Sequence, residues 1–213
     1  MPHDHHNHDE LSPSGDPYRA DQDGPLSYWQ VMEIAVRELM IEKGVTTADA
    51  VTAQIEAMDA RTPAHGAAVV ARAWVDPAFR LRLLADGSAA CAEMGFDVVP
   101  MRLIAVENTA DVHNVVVCTL CSCYPRNLLG LPPDWYKSRA YRSRTVREPR
   151  KVLSEFGLDL PAAVTLRVHD STADMRYLVV PTRPEGTSDF SEAALAVLVT
   201  RDAMIGIGVA KAP

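Results

Sequence analysis

The sequence predicts an α+β protein, with strands in the middle of the chain and helices before and after them. Three observations support this prediction. Apolar residues recur at helical spacing over residues 28–43 and 47–60, which is the pattern of an amphipathic helix. Short runs rich in β-branched residues, at 102–107 and 112–118, have the length and composition of strands. No internal repeat is visible, and 213 residues suffice for one sizeable core preceded by an arm.

The first stretch, residues 1–26, is interpreted as a disordered tail because it is polar and rich in Asp, Pro and His. It does not have the pattern of a signal peptide. Its imidazoles are clustered at His3, His5, His6 and His8. Clustered imidazoles bind transition metals, so the alternative is an arm that captures a metal ion and helps to load it into the protein.

The two helices that follow are predicted to form an N-terminal arm. The first covers 28–43, with Gly44 in the position of a C-terminal cap, and the second covers 47–60. The arm as a whole spans residues 27–65 and precedes a main domain at 66–213. Both helices have broad apolar faces and few local partners. Either they meet a neighbouring subunit or they pack back on the main domain.

The main domain is predicted to alternate between short helices and strands. Asp76 followed by Pro77 is a helix N-cap with Pro at the first helical position. The other predicted elements, in chain order, are a helix around Val69, a helix from Ser88, the strands at 102–107 and 112–118, short helices from Pro132 and Glu148, a strand pair at 165–168 and 175–180, and helices from Ser191 and Thr200.

Composition excludes several classes of protein. A formal net charge of −7 argues against a nucleic-acid partner. The Arg-rich segment 137–150 has acidic residues before and after it, so we expect it to make salt bridges within the chain and between subunits. No run approaches the roughly 18 apolar residues of a membrane span. Four cysteines, three of them clustered, do not form the framework of a small secreted disulfide protein. We therefore expect a cytoplasmic protein.

Three of the four cysteines are concentrated in one short loop. Cys118, Cys121 and Cys123 have the spacing C-x-x-C-x-C and directly follow the β-branched run 115–117. A strand that leads into so tight a loop allows three thiols to face one centre. Zinc is the usual metal for such thiols, and a redox dithiol or strained disulfide is the other interpretation. Spacing alone leaves these alternatives open.

The remaining candidate ligands are weaker. Cys91 lies in a helix-like stretch and is interpreted as a small core residue. His113 precedes the first thiol of the loop by five positions and is considered as a fourth zinc ligand. We nevertheless expect both His113 and His169 to be core or surface residues.

The loop and its surroundings resemble one known family. Residues 117–125, Val-Cys-Thr-Leu-Cys-Ser-Cys-Tyr-Pro, and 129–137, Leu-Gly-Leu-Pro-Pro-Asp-Trp-Tyr-Lys, closely resemble the alpha subunit of cobalt-type nitrile hydratase. The likeness extends over about 27–208, and further similar stretches are at 141–150, 180–187 and 198–206. The resemblance implies a layered α-β-β-α core with a helical arm that embraces a neighbouring subunit.

The resemblance also implies a metal centre with one cobalt ion (Co³⁺) per chain. Cys118, Cys121 and Cys123 would supply sulfur ligands, and the backbone amides of Ser122 and Cys123 would supply nitrogen ligands. In the family, the cysteine corresponding to Cys121 is oxidised to sulfinic acid and that corresponding to Cys123 to sulfenic acid, both steps of the ordinary cysteine oxidation ladder. Cys121, Ser122 and Cys123 are therefore the implied catalytic residues.

Three residues are candidates for the substrate pocket. Thr119 and Tyr124 match the cobalt-type pattern, but Arg126 stands where nitrile hydratases usually have Trp. Arg at this place is similar to the gamma subunit of thiocyanate hydrolase, whose substrate is an anion, whereas 130–133 keeps the nitrile hydratase form. An ion pair at a subunit contact is the other interpretation of Arg126. The mixture also resembles the three-subunit nitrile hydratase that acts on toyocamycin, where loss of the Trp would admit a bulky nucleoside nitrile.

The implied reaction is the hydration of a small-molecule nitrile to its amide, because a trivalent ion with sulfur and amide donors is a Lewis acid. Thiocyanate hydrolysis is the alternative chemistry. The implied partners are beta-type subunits in a hetero-oligomer and a cobalt-loading chaperone. A second class of function is a metal-binding subunit with no activity alone, since in the family two arginines of the partner hydrogen-bond to the oxidised cysteines.

Overall fold

The computed structural model of this chain describes residues 25–212, and these form eleven helices and four strands. The helices are α1 (Tyr28–Glu42), α2 (Ala48–Asp59), α3 (Ala64–Val75), α4 (Pro77–Ala85), α5 (Gly87–Glu93), α6 (Arg126–Leu129), α7 (Asp134–Lys137), α8 (Arg139–Arg147), α9 (Pro149–Glu155), α10 (Glu192–Leu198) and α11 (Arg201–Ile205). The strands are β1 (Arg102–Glu107), β2 (Val112–Val117), β3 (Thr165–Asp170) and β4 (Met175–Val180). This arrangement confirms the α+β class. None of the helices between residues 25 and 212 is long and apolar enough to cross a membrane.

The described residues fall into two compact units, one that ends at Ala60 and one that begins at Arg61. In the first unit, Ser27 and Gln30 form a capping box at the start of α1. No side chain of α1 or α2 is buried, and both interpretations of these helices, contact with a neighbouring subunit and packing on the main domain, stay predictions. The proposed arm boundary at residue 65 stays a prediction, and the predicted metal-capturing histidines lie outside the described residues.

The four strands form two parallel pairs. β1 pairs with β4, with Arg102 opposite Met175, and β2 pairs with β3, with Val117 opposite Asp170. The limits of all four strands agree with the sequence prediction to within two residues, but the predicted pairing of 165–168 with 175–180 is wrong. Each of these later strands binds an earlier one instead, which brings the end of β3 beside the loop that follows β2.

Helices surround the strands and complete the core of the second unit. Asp76 caps α4 as predicted: its Oδ1 accepts hydrogen bonds from the backbone N–H groups of Ala78 and Phe79, both at 3.0 Å. Cys91 is fully buried in this core, as expected for a small apolar residue. The fully buried side chains with the largest volumes include Tyr136, Tyr141, Phe79, Leu83, Leu128, Leu153, Leu178 and Met204.

A buried polar network joins β2 to the end of α11. Asn108 Oδ1 accepts a hydrogen bond from the backbone N–H of Asn114 at 2.8 Å, so the Asn108 amide nitrogen is left to donate to Nδ1 of His113 at 3.2 Å. Nε2–H of His113 then donates to the carbonyl oxygen of Gly206 at 2.7 Å. Gly206 has φ +82°, and a Cβ there would lie 1.9 Å from the carbonyl oxygen of Asn114. Only glycine fits this contact.

Two helices were not predicted from the sequence. α6 is a single turn directly after the cysteine loop. α8 lies inside the Arg-rich segment, and Ser138 caps it by accepting a hydrogen bond from the backbone N–H of Tyr141 at 3.1 Å. Only Tyr141 and Thr145 are buried on α8, so its apolar pattern is too sparse to stand out from the charged residues.

Candidate metal centre

The three clustered cysteines lie together where β2 ends. The Sγ atoms of Cys118, Cys121 and Cys123 are all within 4.8 Å of one another. Sγ of Cys121 is 3.6 Å from that of Cys118 and 3.2 Å from that of Cys123. Cys118 is fully buried, Cys123 is 8% exposed and Cys121 is exposed, and all three are free thiols. Two sulfur atoms therefore form the floor of the site, and the third is accessible from outside.

Backbone amides of the same loop point at these sulfur atoms. The N–H of Cys121 donates to Sγ of Cys118 at 3.3 Å. The pKa of Cys121 is lowered, first by the hydrogen bond from the Cys123 thiol and then by the N–H of Ser122, with the N–H of Cys123 adding to it. Burial, followed by the hydrogen bonds with the neighbouring sulfur atoms, raises the pKa of Cys123 to about 12. The loop thus presents both sulfur and amide nitrogen to one centre.

The pairing of β2 with β3 holds the first part of the loop in place. Val117, the last residue of β2, lies opposite Asp170, and its carbonyl oxygen accepts a hydrogen bond from the N–H of Ser171 at 2.7 Å. The Asp170 carboxylate accepts two hydrogen bonds from Thr119, one from the backbone N–H at 2.9 Å and one from the hydroxyl at 2.5 Å. Asp170 therefore holds the loop backbone in place at Thr119, between Cys118 and Cys121.

Side chains from α7 and α8 hold the rest of the loop. Arg142 Nη1 donates to the carbonyl oxygen of Leu120 at 3.1 Å. The hydroxyl of Tyr136 donates to the carbonyl oxygen of Cys123 at 2.8 Å. The three sulfur atoms are therefore positioned by a backbone that is itself bound from outside, which is how a binding site is preorganised.

A cleft opens beside Cys121, Ser122 and Cys123, and its charged lining is entirely basic. The arginines that line it are Arg61, Arg126 and Arg176. Arg176 is bound within the protein, since its Nε donates to the carbonyl oxygen of Tyr124 at 3.3 Å and its Nη1 to the carbonyl oxygens of residues 172, 173 and 175. The side chains of Arg61 and Arg126 make no hydrogen bond or ion pair within residues 25–212.

The structure separates the three predicted pocket residues. Arg126 lines the cleft at the first position of α6. Tyr124 borders the same cleft, but it is only 2% exposed and its ring packs edge-on against Tyr136, with the centroids 5.0 Å apart. Thr119 lies elsewhere: it borders a different depression beside α8, and its hydroxyl is bound to Asp170.

Sequence reasoning did not identify Asp170, Arg142, Tyr136 and Arg176 as parts of the site. Asp170 could have been identified from the sequence, because it follows a predicted strand whose parallel pairing with β2 would bring it to the loop. The other three depend on the packing of α7, α8 and β4 against the loop, and their spacing in the sequence contains no sign of it.

The donor atoms present fit a transition-metal ion that accepts both sulfur and backbone nitrogen. Thiol sulfurs suit soft or borderline ions. No fourth Cys, His, Asp or Glu from the described part of the chain joins the three cysteines. The fourth-ligand candidate His113 is committed to the network with Asn108 and Gly206. The described residues therefore do not provide the four side-chain ligands of an ordinary structural zinc site.

Comparison with known sequences gives a consistent family. The family described as nitrile hydratase, alpha chain, matches residues 27–208. The chain is 49% identical over 181 residues to the low-molecular weight cobalt-containing nitrile hydratase subunit alpha of Rhodococcus rhodochrous, covering 84% of this chain and 87% of that one. It is 42% identical over 200 residues to the thiocyanate hydrolase subunit gamma of Thiobacillus thioparus, covering 87% of this chain and 82% of that one.

Solved structures agree with the sequence comparison. A recombinant thiocyanate hydrolase with partially modified cobalt centres has a chain that superposes with a TM-score of 0.83 at 43% identity, covering 88% of this chain and 92% of that one. A double mutant of the Fe-type nitrile hydratase from Comamonas testosteroni Ni1 superposes with a TM-score of 0.82 at 44% identity, covering 88% of this chain and 94% of that one. The layered fold expected from the sequence is therefore shared with these chains.

Proposed function

This chain belongs to the nitrile hydratase alpha-chain family, and we propose that it is the cobalt-bearing subunit of an enzyme that hydrates a nitrile to the amide. The observation that carries the proposal is the cluster of Cys118, Cys121 and Cys123, with all three sulfur atoms within 4.8 Å. The names of the relatives support cobalt as the metal. The reaction adds one water molecule across the carbon–nitrogen triple bond, so it is the chemistry of a hydro-lyase.

In this proposal the loop alone supplies the protein ligands. The sulfur atoms of Cys118, Cys121 and Cys123 and the amide nitrogens of Ser122 and Cys123 hold Co³⁺. When bound, the ion supplies a Lewis acid that polarises a nitrile or acidifies water. Cys121 would carry a sulfinic acid and Cys123 a sulfenic acid. The sulfenate oxygen of Cys123 would act either as the nucleophile toward the nitrile carbon or as a base that takes a proton from the attacking water. The exposure of Cys121 and the opening of the cleft beside it support access of substrate and oxidant to the loop.

We propose further that the working enzyme is a cytoplasmic hetero-oligomer with a beta-type subunit and that a chaperone loads its cobalt. The naming of the relatives as subunits supports a partner. In the family, the partner contributes two arginines that bind the oxidised cysteines, so this chain is expected to have no activity alone. The exposed apolar side chains of α1 and α2 are consistent with an arm that binds another subunit.

Thiocyanate hydrolysis is the second candidate, and the arginines of the cleft favour it. Arg61 and Arg126 line the cleft without a carboxylate partner within residues 25–212, and no carboxylate lines the cleft. Two such guanidinium groups attract an anion more strongly than they attract a neutral aliphatic nitrile. A bulky nucleoside nitrile such as toyocamycin is a third substrate to test, because an Arg side chain can swing aside where a Trp ring fills space.

The test begins with the chain expressed with cobalt, alone and with the beta-type subunit of the same organism. Metal analysis is expected to give about one cobalt per chain, and mass spectrometry of residues 115–126 two extra oxygen atoms on Cys121 and one on Cys123. The complex is then assayed with an aliphatic nitrile, thiocyanate and toyocamycin, scoring amide formation and ammonia release.

A matched control replaces Cys91 by Ala, which removes a thiol outside the loop and should leave metal content and oxidation unchanged. Cys123→Ala should abolish cobalt binding. Zinc bound to three unmodified thiols would contradict the cobalt proposal. A fully oxidised cobalt complex that turns over none of the three substrates would contradict the proposed activity while leaving the metal site intact.

A further inference from the structure

A second depression lies beside the cysteine loop, on the side of α8. It is lined by Thr119, Arg139, Arg142, Ser143, Val146 and Arg147, and we call it the α8 depression. No carboxylate lines it, although the chain as a whole has a formal net charge of −7. A local concentration of positive charge on an acidic protein indicates a surface that is matched to something negative.

Most basic side chains near α8 are already used within the chain. Arg144 binds the carboxylates of Glu148 and Glu155. Arg150 donates to the backbone carbonyl oxygens of residues 160, 161, 162 and 164, and Arg142 donates to the carbonyl oxygen of Leu120. The expected intrachain salt bridges of the Arg-rich segment are therefore present.

Two arginines of the same segment are not used in this way. Arg139 and Arg147 are exposed, line the α8 depression and make no side-chain hydrogen bond or ion pair to any residue from 25 to 212. Between them, Val146 exposes 53% of its surface. Arg is enriched at protein interfaces, and the exposed Val146 adds apolar surface that a partner could bury beside the two arginines.

We propose that the α8 depression docks an acidic segment of the beta-type partner subunit. Carboxylates of that segment pair with Arg139 and Arg147, and an apolar side chain covers Val146. A guanidinium group binds a carboxylate through two parallel hydrogen bonds, which fixes orientation as well as charge. The inference rests on the proposed hetero-oligomer and adds to it the surface and the chemistry of the contact.

The α8 depression lies next to the cysteine loop, so a partner segment bound there would also lie close to the loop. Thr119 lines the depression, and Arg142 connects it to the carbonyl oxygen of Leu120. Leu120, between two of the cysteines, is 83% exposed. A partner segment bound to Arg139 and Arg147 would therefore reach the edge of the cysteine loop at Thr119.

An acidic polypeptide fits these observations better than a nucleic acid. A polyanion as long as a nucleic acid meets the repulsion of the whole chain, with its net charge of −7. A short acidic segment meets only the local field of the depression. The exposed apolar Val146 also has no counterpart in a phosphate backbone.

The experiment measures the affinity of the cobalt-loaded full chain for the beta-type subunit, by isothermal titration at several salt concentrations. We expect R139E/R147E to bind about 100-fold more weakly than the wild type, since each reversal replaces an attraction by a repulsion, and R139Q/R147Q to lie between them. The slope of log Kd against log salt should become shallower in both variants. The control R102E/R167E makes the same change of charge at two exposed arginines outside the depression and should bind as the wild type does.

Cobalt content and far-ultraviolet circular dichroism of each variant serve as folding controls, because the side chains of Arg139 and Arg147 make no hydrogen bond to the loop within the described residues. Wild-type affinity in both α8 variants would overturn the docking proposal and leave the hetero-oligomer standing. No complex with the wild-type chain would overturn both. Binding of a single-stranded DNA 30-mer that R139E/R147E abolishes, with partner affinity unchanged, would assign the depression to nucleic acid instead.

Discussion

At the scale of single residues, Tyr136 joins the cysteine loop to a rigid aromatic cluster. Its hydroxyl donates to the carbonyl oxygen of Cys123 at 2.8 Å, and its ring contacts Tyr124, Trp135 and Tyr141 at centroid distances of 5.0, 6.0 and 5.5 Å. Tyr141 makes a comparable hydrogen bond to β2, the strand that precedes the loop: its hydroxyl donates to the carbonyl oxygen of Val116 at 2.7 Å. The two tyrosines have the same chemistry and differ in whether they bind the loop or the strand.

We predict that Tyr136→Phe weakens the metal site, whereas Tyr141→Phe does not. Each change leaves a buried carbonyl oxygen without its donor and should lower the free energy of unfolding by about 1–3 kcal/mol, measured by urea denaturation. Only Tyr136→Phe frees the loop at Cys123, so it should also lose cobalt faster in the presence of a chelator. Equal rates of cobalt loss in the two variants would show that Tyr136 supports the fold and does not position the loop.

At the scale of elements, the joint between β2 and the end of α11 depends on a neutral imidazole. His113 accepts from Asn108 with Nδ1 and donates to Gly206 with Nε2, so a second ring proton would break the first bond. Burial lowers the pKa of His113 below its ordinary value near 6.5. His169, which donates to Asn114 Oδ1 at 2.8 Å, also has a pKa lowered by burial.

We therefore predict that the fold loses stability as the pH falls below about 6.5. Below pH 6.5 these histidines bind more protons in the unfolded chain than in the folded chain, so the free energy of unfolding decreases as the pH falls. Below the pKa of the folded state, both states are protonated and these groups cause no further decrease. His113→Gln should remove a large part of this slope, and His169→Asn a further part. Urea denaturation between pH 7.5 and 5 measures it, and an unchanged slope in His113→Gln would contradict the assignment.

The elements also show what the sequence allows one to predict. Strand limits and caps were predictable because they are local: Asp76 caps α4 through residues two and three positions later. Strand pairing was not predictable, because the alternation of apolar and polar residues in 165–168 and 175–180 indicates that each segment is a strand but does not indicate which strand it pairs with. The cysteine cluster was recognisable from spacing and resemblance. Its support by Asp170 was not, since Thr119 and Asp170 meet only after β3 has paired with β2.

At the scale of the whole chain, residues 25–60 and residues 61–212 form separate compact units. α1 and α2 contribute no buried side chain. The large apolar side chains that remain exposed there include Tyr28, Trp29, Val31, Met32, Val36, Leu39 and Ile55. The buried apolar residues of the described chain all lie between Ala67 and Ala210, so we expect the second unit to fold without the arm.

We predict that a chain without residues 1–60 unfolds cooperatively, with a free energy of unfolding within about 1 kcal/mol of the full chain. Leu195→Ala serves as the positive control, because Leu195 is fully buried in α10 and its truncation should cost about 2–5 kcal/mol. Thermal and urea denaturation measure both. Loss of the cooperative transition in the shortened chain would show that the arm is part of the folding unit.

The parallel pairing of the strands also sets the order of events during biosynthesis. β2 finds its partner only at Thr165–Asp170, and β1 only at Met175–Val180. A ribosome adds about 5–20 residues per second, so Asp170 emerges some seconds after Cys123. During that interval the three thiols lie on a loop that Asp170 does not yet hold in place. Under the proposed function, we therefore expect cobalt insertion and cysteine oxidation to follow the synthesis of β3 and β4, so that a delivery protein would meet a chain whose strands have already been made.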